Sequence, residues 1–351
     1  MTFWSRTSAA PTLWHASGFC SLEPRFLRTA LPDAPDIPLD LRIRRAVPSD
    51  TGSLLLFLAE CYKGSDWRLR LDLDDVATYL DDAQVVALLA LDSQHNLIAS
   101  IFSVPVGRVI LSPKADVGRV HAIEGLCVRG THRHKGLAGI MIAQVDYETA
   151  RLFGPLVHLW SRELSSKPML STAVNVTTYA YIPTQRAVSH VPLRELDWSV
   201  FAHLWDSNCH RFGGIVAVTP SNRRGGVRVW EGESHGAIKV VVVADTRRTT
   251  ADGKSIYEVV WCGWKIINVL FPANDGLRFR TLLESVAAEY AREGPGLLFA
   301  TSDRTGGAAK KRWEAKGPWV YGASGVHATY IYNYLPPSFG SCPIHVIREE
   351  L

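Results

Sequence analysis

Several absences narrow what this chain can be. The six cysteines (Cys20, Cys61, Cys127, Cys209, Cys262 and Cys342) are widely spaced and form no C-x-x-C pair. Spacing therefore gives no support to a zinc site or a disulfide framework, and free thiols in a reducing compartment are expected. No apolar run approaches the roughly 20 residues that carry a helix across a bilayer. The balance of 38 Lys and Arg against 34 Asp and Glu leaves a net charge of only +4. That is too even for a nucleic-acid binder, which concentrates cations on one face, but it leaves room for a local pocket that binds a polyanion. The first acid is Glu23, and the N-terminal segment has no hydrophobic core of a secretory signal. Its Ser and Arg content suits an organellar transit peptide. Phe3, Trp4 and Trp14 favour an ordered arm instead.

What is present reads as a mixed α/β chain. Residues 1–40 are proline-rich and end in an extended arm, "ALPDAPDIPLD". "LRIRRAV" alternates as a strand, and "PSDTGSLLLFLAECY" follows as a helix with Ser49 or Asp50 as its N-cap. A second helix is expected at "LDDVATYL". Strands follow at "QVVALLAL", "LIASIFSVPVGRVIL" and "VHAIEGLCV", then a helix from Gly136 and a strand at "LVHLWS". From about Ser171 to Gly226 the pattern is poor. Strands at "GAIKVVVVAD", "SIYEVVWCGWKIINVLF", "GLLFAT" and "ATYIYNYL", with helices at "LRFRTLLESVAAEYARE" and "AAKKRWEAKG", then loosely repeat the first element order. The expected organisation is an arm over 1–40, a lobe over 41–190 and a second lobe over 191–351.

The segment that carries chemistry is "IEGLCVRGTHRHKGLAGIMI", Ile123 to Ile142. A strand runs into a basic turn and then directly into a helix. A helix N-terminus presents unpaired N–H groups and partial positive charge, so it attracts phosphate. Gly136 lets the backbone approach an anion without a Cβ in the way, while Arg133, His134 and Lys135 surround it. A bulge in the strand near Gly125 would free the N–H of Gly125 or Leu126 to polarise a carbonyl. The plainer alternative is a solvated basic turn before an ordinary helix.

The pattern Arg-x-x-Gly-x-Ala at Arg133, Gly136 and Ala138 resembles the acyl-CoA-binding motif of the GNAT superfamily of N-acyltransferases. Four segments sharpen the resemblance to the glycylpeptide N-tetradecanoyltransferases, the N-myristoyltransferases. That family has an L-C-V strand and an R-S-K-R-L-A-P turn at this place. "FWSRTSAAP" is similar to its F-W-D-T-Q-P segment, and "YGASGVHATYIYNYLPPSFGS" to its G-D-G-x-x-x-Y-Y-L-Y-N-W run. "LLLFLAECYKGSDWRLRLDL" resembles its substrate-lining loop.

The resemblance implies an α/β (α+β) fold of two tandem GNAT-like lobes around mixed β-sheets. It implies transfer of myristate from myristoyl-CoA, an acyl-donor co-substrate, to the α-amine of an N-terminal glycine peptide. Neither a prosthetic group nor a metal is expected. Leu126, Cys127, Val128, Arg133, His134, Lys135, Gly136, Leu137 and Ala138 would hold the CoA, with Phe3 and Trp4 over the acyl chain. Gly125 and Leu126 would supply the oxyanion donors. Tyr62, Asp66, Trp67, Leu69, Ser171, Thr172, Gly325 and His327 would line the peptide groove.

The base is either the terminal carboxylate of Leu351 or Glu124, which stands where the family has an asparagine. Glu124 could equally be a strand residue facing solvent. The chain departs from the family at "AVNVTTYAY", in place of an aromatic-basic run, and at Asp66, which stands alone where the family has an acidic cluster. A cytoplasmic monomer with no integral membrane association and no nucleic-acid partner is expected. The alternatives are a GNAT enzyme using a short acyl-CoA, or a module that binds acyl-CoA without turnover.

Overall fold

The structure, a computed structural model, describes residues 25–26, 30–62, 67–112, 115–163, 173–217, 222, 225–234, 236–273, 276–302, 313, 317–332, 334–335 and 344–347. Strands β1 (Arg25–Phe26) and β2 (Arg42–Arg45) precede helix α1 (Thr51–Cys61). Strand β3 (Trp67–Leu69) and helix α2 (Leu73–Asp81) come next, then β4 (Val86–Leu91), β5 (Leu97–Ser112) and β6 (Ala115–Val128). Helix α3 (Leu137–Phe153) leads into β7 (Val157–Glu163) and β8 (Ala173–Pro183). Then come β9 (Leu193–Leu196), α4 (Trp198–Asn208), β10 (Gly214–Val216), β11 (Val227–Ser234), β12 (Ala237–Thr250), β13 (Ser255–Ile266) and β14 (Val269–Pro272). Helix α5 (Arg280–Tyr290), β15 (Gly296–Ser302), β16 (Val320–Tyr332), β17 (Tyr334–Leu335) and β18 (Ile344–His345) close the described chain.

Sixteen of the strands form one mixed sheet with the central path β18-β10-β5-β6-β7-β16-β8-β15-β13-β12-β11-β9. Of the three parallel contacts among the described residues, β10 with β18 joins two short strands, while β6 with β7 and β13 with β15 mark two similar units. Each of the latter two is bridged by a helix, α3 in the first unit and α5 in the second. The late strand β16 pairs with both β7 and β8, so the two units share a continuous sheet. β3 pairs with β12, which ties the segment after α1 to the second unit.

The helices are placed by their apolar stripes. Leu137, Met141, Ile142 and Val145 of α3 pack on Val86, Leu88, Ala99 and Ile101. Leu54, Phe57 and Leu58 of α1, with Val76 and Tyr79 of α2, cover the opposite face at Leu89, Phe102, Val104 and Cys127. In the second unit, Leu282, Leu283, Val286 and Tyr290 of α5 pack on Val241, Val243 and Leu298.

The unpatterned stretch from Ser171 to Gly226 contains β8, β9, α4 and β10. β8 is sandwiched between β15 and β16 and carries Asn and Thr among its apolar residues, which hides its alternation. "SIYEVVWCGWKIINVLF" divides into the β13–β14 hairpin, turning at Ile267 with φ 57°. No Gly or Asn-Gly marks that turn, so the sequence does not reveal it. Asp50 occupies the N-cap position of α1, but its carboxylate takes both Arg44 N–H groups, at 2.6 and 2.7 Å, and the Val47 N–H at 2.9 Å. The "AAKKRWEAKG" helix lies outside the described residues apart from Trp313.

Candidate active site

In the first unit the two parallel strands separate. β6 pairs with β7 only at Val120↔Val157, His121↔His158 and Ala122↔Leu159, while β7 continues to Glu163 alongside β16. From Ile123 to Val128, β6 therefore has β5 on one side and, among the described residues, no strand registered on the other. This opens a wedge whose apex is at Ala122.

The ladder between β5 and β6 is interrupted beside this wedge. Phe102 faces Glu124 and Ser100 faces Cys127, so Gly125 and Leu126 together oppose Ile101. That is a β-bulge, with its glycine in the left-handed region at φ 54°. A Cβ at Gly125 would stand 2.1 Å from Cδ2 of Phe102, so only glycine fits here. The fully buried hydroxyl of Ser100 donates to the Gly125 carbonyl at 2.9 Å. A planar trans peptide holds C=O and N–H antiparallel. With the Gly125 carbonyl turned to Ser100 on β5, the Leu126 N–H is turned away from Ser100.

The bulge also sets the facing of the residues around it. Ile123, Leu126 and Val128 pack on the α3 side, whereas Cys127 packs with α1 and α2. Glu124, registered with Phe102, shares the α1–α2 face, and both of its carboxylate oxygens are shielded from solvent. This corrects the solvent-facing alternative for Glu124. Burial pushes the Cys127 thiol up to about 12, so it stays a neutral, unreactive group.

After β6 the chain makes a short 3-10 turn at Gly130–His132 and reaches α3 through Arg133, His134, Lys135 and Gly136. His134 and Gly136 adopt positive φ, 63° and 81°. Alternation of handedness along a short segment curves the backbone into a concavity of N–H groups. Gly136 is the N-cap and no side chain caps the helix, although the N–H groups of Gly139 and Ile140 return to the Gly136 carbonyl. Arg133, His134, Lys135 and Gly136 are exposed, Leu137 is buried and Ala138 half-buried. Arg133 donates through Nε to the Val128 carbonyl at 3.0 Å, which fixes the turn to the end of β6. Arg129 is used structurally: it donates to Leu97 O, pairs with Glu60 and lies over the Phe57 ring.

A buried polar group holds α3 on the parallel strands. The Ser103 hydroxyl lies 3.1 Å from His121 Nδ1, His121 is in register with His158, and His158 Nδ1 is 3.4 Å from Asp146 of α3. Burial first, then the neighbouring His158 and Arg119, lower His121 to about 3, so its ring is neutral.

Of the groove residues, Tyr62 and Trp67 meet edge to face at 5.6 Å, and Leu69 packs with Tyr62 on the α1–α2 face. Arg248 of β12 lies over Trp67 at 4.8 Å and over Tyr62 at 6.0 Å. Gly325 and His327 lie in β16, with His327 registered against Glu163 at the separated end of β7. Phe3, Trp4, Asp66, Ser171, Thr172 and Leu351 lie outside the described residues. Ile347, buried in the α4 cluster, is the last described residue before Leu351. Sequence reasoning missed Ser100, Phe102 and Arg248, which act on the site residues from neighbouring strands. A serine inside the apolar run "LIASIF" was the one available signal for Ser100.

The second unit repeats the geometry and then closes it. β13 pairs in parallel with β15 from Ser255 to Glu258, and Val260 is the extra residue between Val259 and Trp261 opposite β12. There β14 pairs with Gly263–Ile266 on the edge of β13 away from β12, filling the place left open in the first unit.

No protein-family model matches the sequence, and no curated protein matches it. Solved structures do. The chain is similar to Saccharomyces cerevisiae N-myristoyltransferase with bound myristoyl-CoA, at 12% identity and a TM-score of 0.62, over 90% of this chain and 85% of that one. It is likewise similar to the same yeast enzyme with myristoyl-CoA and inhibitors, at 11% identity and a TM-score of 0.62, over 88% and 84% of the two chains. The fold is that of the N-myristoyltransferases. Of its two similar units, the first has the wedge open among the described residues and the second has it filled by β14. Among the described residues of this N-myristoyltransferase fold there is no group of His, Cys, Asp or Glu able to hold a metal ion, and no helix long and apolar enough to cross a membrane.

Proposed function

We propose that the protein is an N-acyltransferase that moves a myristoyl group from CoA to the α-amine of an N-terminal glycine peptide. The observation that carries this is the open wedge of the first lobe, with the Gly125–Leu126 bulge on its edge and the basic, uncapped start of α3 directly after it. A pyrophosphate would sit at Arg133–Ala138, where backbone N–H groups and local cations favour an anion. The pantetheine arm would run along Leu126, Cys127 and Val128, using strand N–H and C=O groups that β7 has left. The thioester carbonyl would then meet the N–H groups of Gly125 and Leu126.

The reaction is direct transfer. The neutral glycine amine attacks the thioester carbon, the carbonyl oxygen becomes negative against the bulge N–H groups, and the C–S bond breaks as the nitrogen passes its extra proton to the departing sulfur, which leaves a neutral amide and CoA thiol. To be neutral, the amine must first lose a proton. Glu124, shielded on the α1–α2 face, is the proposed acceptor, with the Leu351 carboxylate as the other. The neutral Cys127 thiol argues against an acyl-cysteine intermediate. Tyr62, Trp67 and Leu69, braced by Arg248, would form one wall of the peptide groove, with Asp66, Ser171, Thr172, Gly325 and His327 around it. Phe3 and Trp4 would cover the acyl chain. The working form is proposed as a cytoplasmic monomer.

A second reading, an enzyme using a short acyl-CoA, is favoured by Glu124 alone, since a strand carboxylate is enough to deprotonate an amine. Mass spectrometry of a Gly-x-x-x-Ser peptide, incubated with equimolar acetyl- to palmitoyl-CoA, separates the two. The expected product is heavier by one myristoyl group and absent with an alanine-initiated peptide. An acetylated product transfers the assignment to the short-chain reading, and no product at all refutes both.

A further inference from the structure

We infer that Ser100 is a positioning residue, whose hydroxyl aims the oxyanion-binding N–H of the bulge at the acyl carbonyl. The inference rests on the acyl-transfer reading above and goes beyond it, because Ser100 lies on β5 and touches neither donor nor acceptor.

A bulge leaves one peptide of the wider strand without a ladder partner, and such a peptide can turn about its flanking bonds. Glycine at φ 54° makes that turn easier still, since it has no Cβ to restrict it. Gly125 therefore creates the geometry but does not hold it. Two groups on β5 do. The Phe102 ring fills the space where a Cβ would be, closing one direction of movement. Ser100 then fixes the carbonyl through a 2.9 Å hydrogen bond made at zero solvent exposure, where no water competes. Because the peptide is rigid, holding the Gly125 oxygen also holds the Leu126 hydrogen on the opposite side.

An oxyanion donor stabilises the transition state only if it is already aimed, and losing one such donor lowers turnover by about 10²–10³. Loss of the residue that aims it should cost less, roughly tenfold to a hundredfold. The wedge, the basic turn and the start of α3 are untouched, so ground-state affinity for acyl-CoA should stay within about twofold.

The test uses the full-length protein and acyl-CoA labelled with ¹³C at the thioester carbonyl. Difference infrared spectroscopy reads the carbonyl stretch when the donor is bound, and steady-state assays with a glycine-initiated peptide read kcat and KM. In the wild type the stretch should move to lower frequency on binding. Ser100→Ala should lose most of that shift and lower kcat with little change in KM for acyl-CoA, while Ser100→Thr should restore both. A purely structural serine would lower thermal stability and leave the carbonyl frequency of bound donor unchanged. Ser100→Cys, a weaker donor of similar size, gives an intermediate shift and serves if Ser100→Ala does not fold.

A full shift and unchanged kcat in Ser100→Ala would overturn the inference, as would a wild type that shows no shift with donor bound. A carbonyl shift in the wild type that Ser100→Ala loses, with no peptide acylated by either, would uphold the role of Ser100 and refute the proposed reaction.

Discussion

Gly125→Ala tests the bulge on which the site depends. Two costs follow from the structure. A residue with a Cβ held at φ 54° pays about 1–2 kcal/mol for the left-handed conformation. The new methyl would also lie 2.1 Å from Cδ2 of Phe102, and relieving such a clash inside a packed core costs about 1–3 kcal/mol. Gly125→Ala should therefore destabilise the protein by roughly 2–5 kcal/mol, measured as a lower midpoint of urea unfolding. The two costs separate in a double-mutant cycle with Phe102→Leu, which removes the ring edge and leaves the backbone alone. In that background the alanine should cost only the conformational part, so a coupling of about 1–3 kcal/mol is expected. Equal costs in both backgrounds would show that the ring does not press on Gly125. A cost below about 1 kcal/mol in both would show that Gly125 is not left-handed, and the proposed oxyanion site would fall with it.

Stability should decline on mild acidification. His121 is lowered to about 3 and His345 to about 4, each chiefly by burial, from an ordinary 6.5. The unfolded chain therefore binds protons that the folded chain does not. Stability is complete above pH 6.5 and is lost as pH falls toward 4, with roughly 5 kcal/mol available from His121 over its full range. His121→Asn should flatten this dependence between pH 6.5 and 4 in pH-resolved thermal unfolding, and an unchanged slope would refute the buried neutral ring. In the basic turn, Arg133→Ala and Lys135→Ala should each weaken acyl-CoA binding by about 2- to 10-fold in calorimetry, and the loss should shrink as salt rises. No loss at low salt would place the pyrophosphate elsewhere.

The first lobe was legible because its elements carry local signals. The run "QVVALLAL" and the 3.6-residue stripe of Leu137, Met141, Ile142 and Val145 each specify one element without reference to anything distant. The strand-to-helix turn of the candidate site was legible in the same way, because Gly136 and the cations before it mark it within a few residues. Much of the stretch from Ser171 to Gly226 was not legible. β8 is defined by its two neighbours in the sheet, and α4 by a packing surface built from β11, β12 and β13.

The sequence by itself determined that Gly125 could bend β6 and that a basic turn leads into a helix at Gly136, since glycine freedom and helix-start signals are local properties. Tertiary structure alone decided the rest. Whether β6 bulges at Gly125 depends on Ser100 and Phe102, which lie on β5 and face it across the ladder. Which face Glu124 takes depends on that bulge, because one extra residue reverses the alternation of a strand. Which lobe keeps an open wedge depends on β14 folding back onto β13 in one and on β7 parting from β6 in the other. Strand pairing joins residues far apart in the chain, so it is these long-range contacts that turn a permissive sequence into one site.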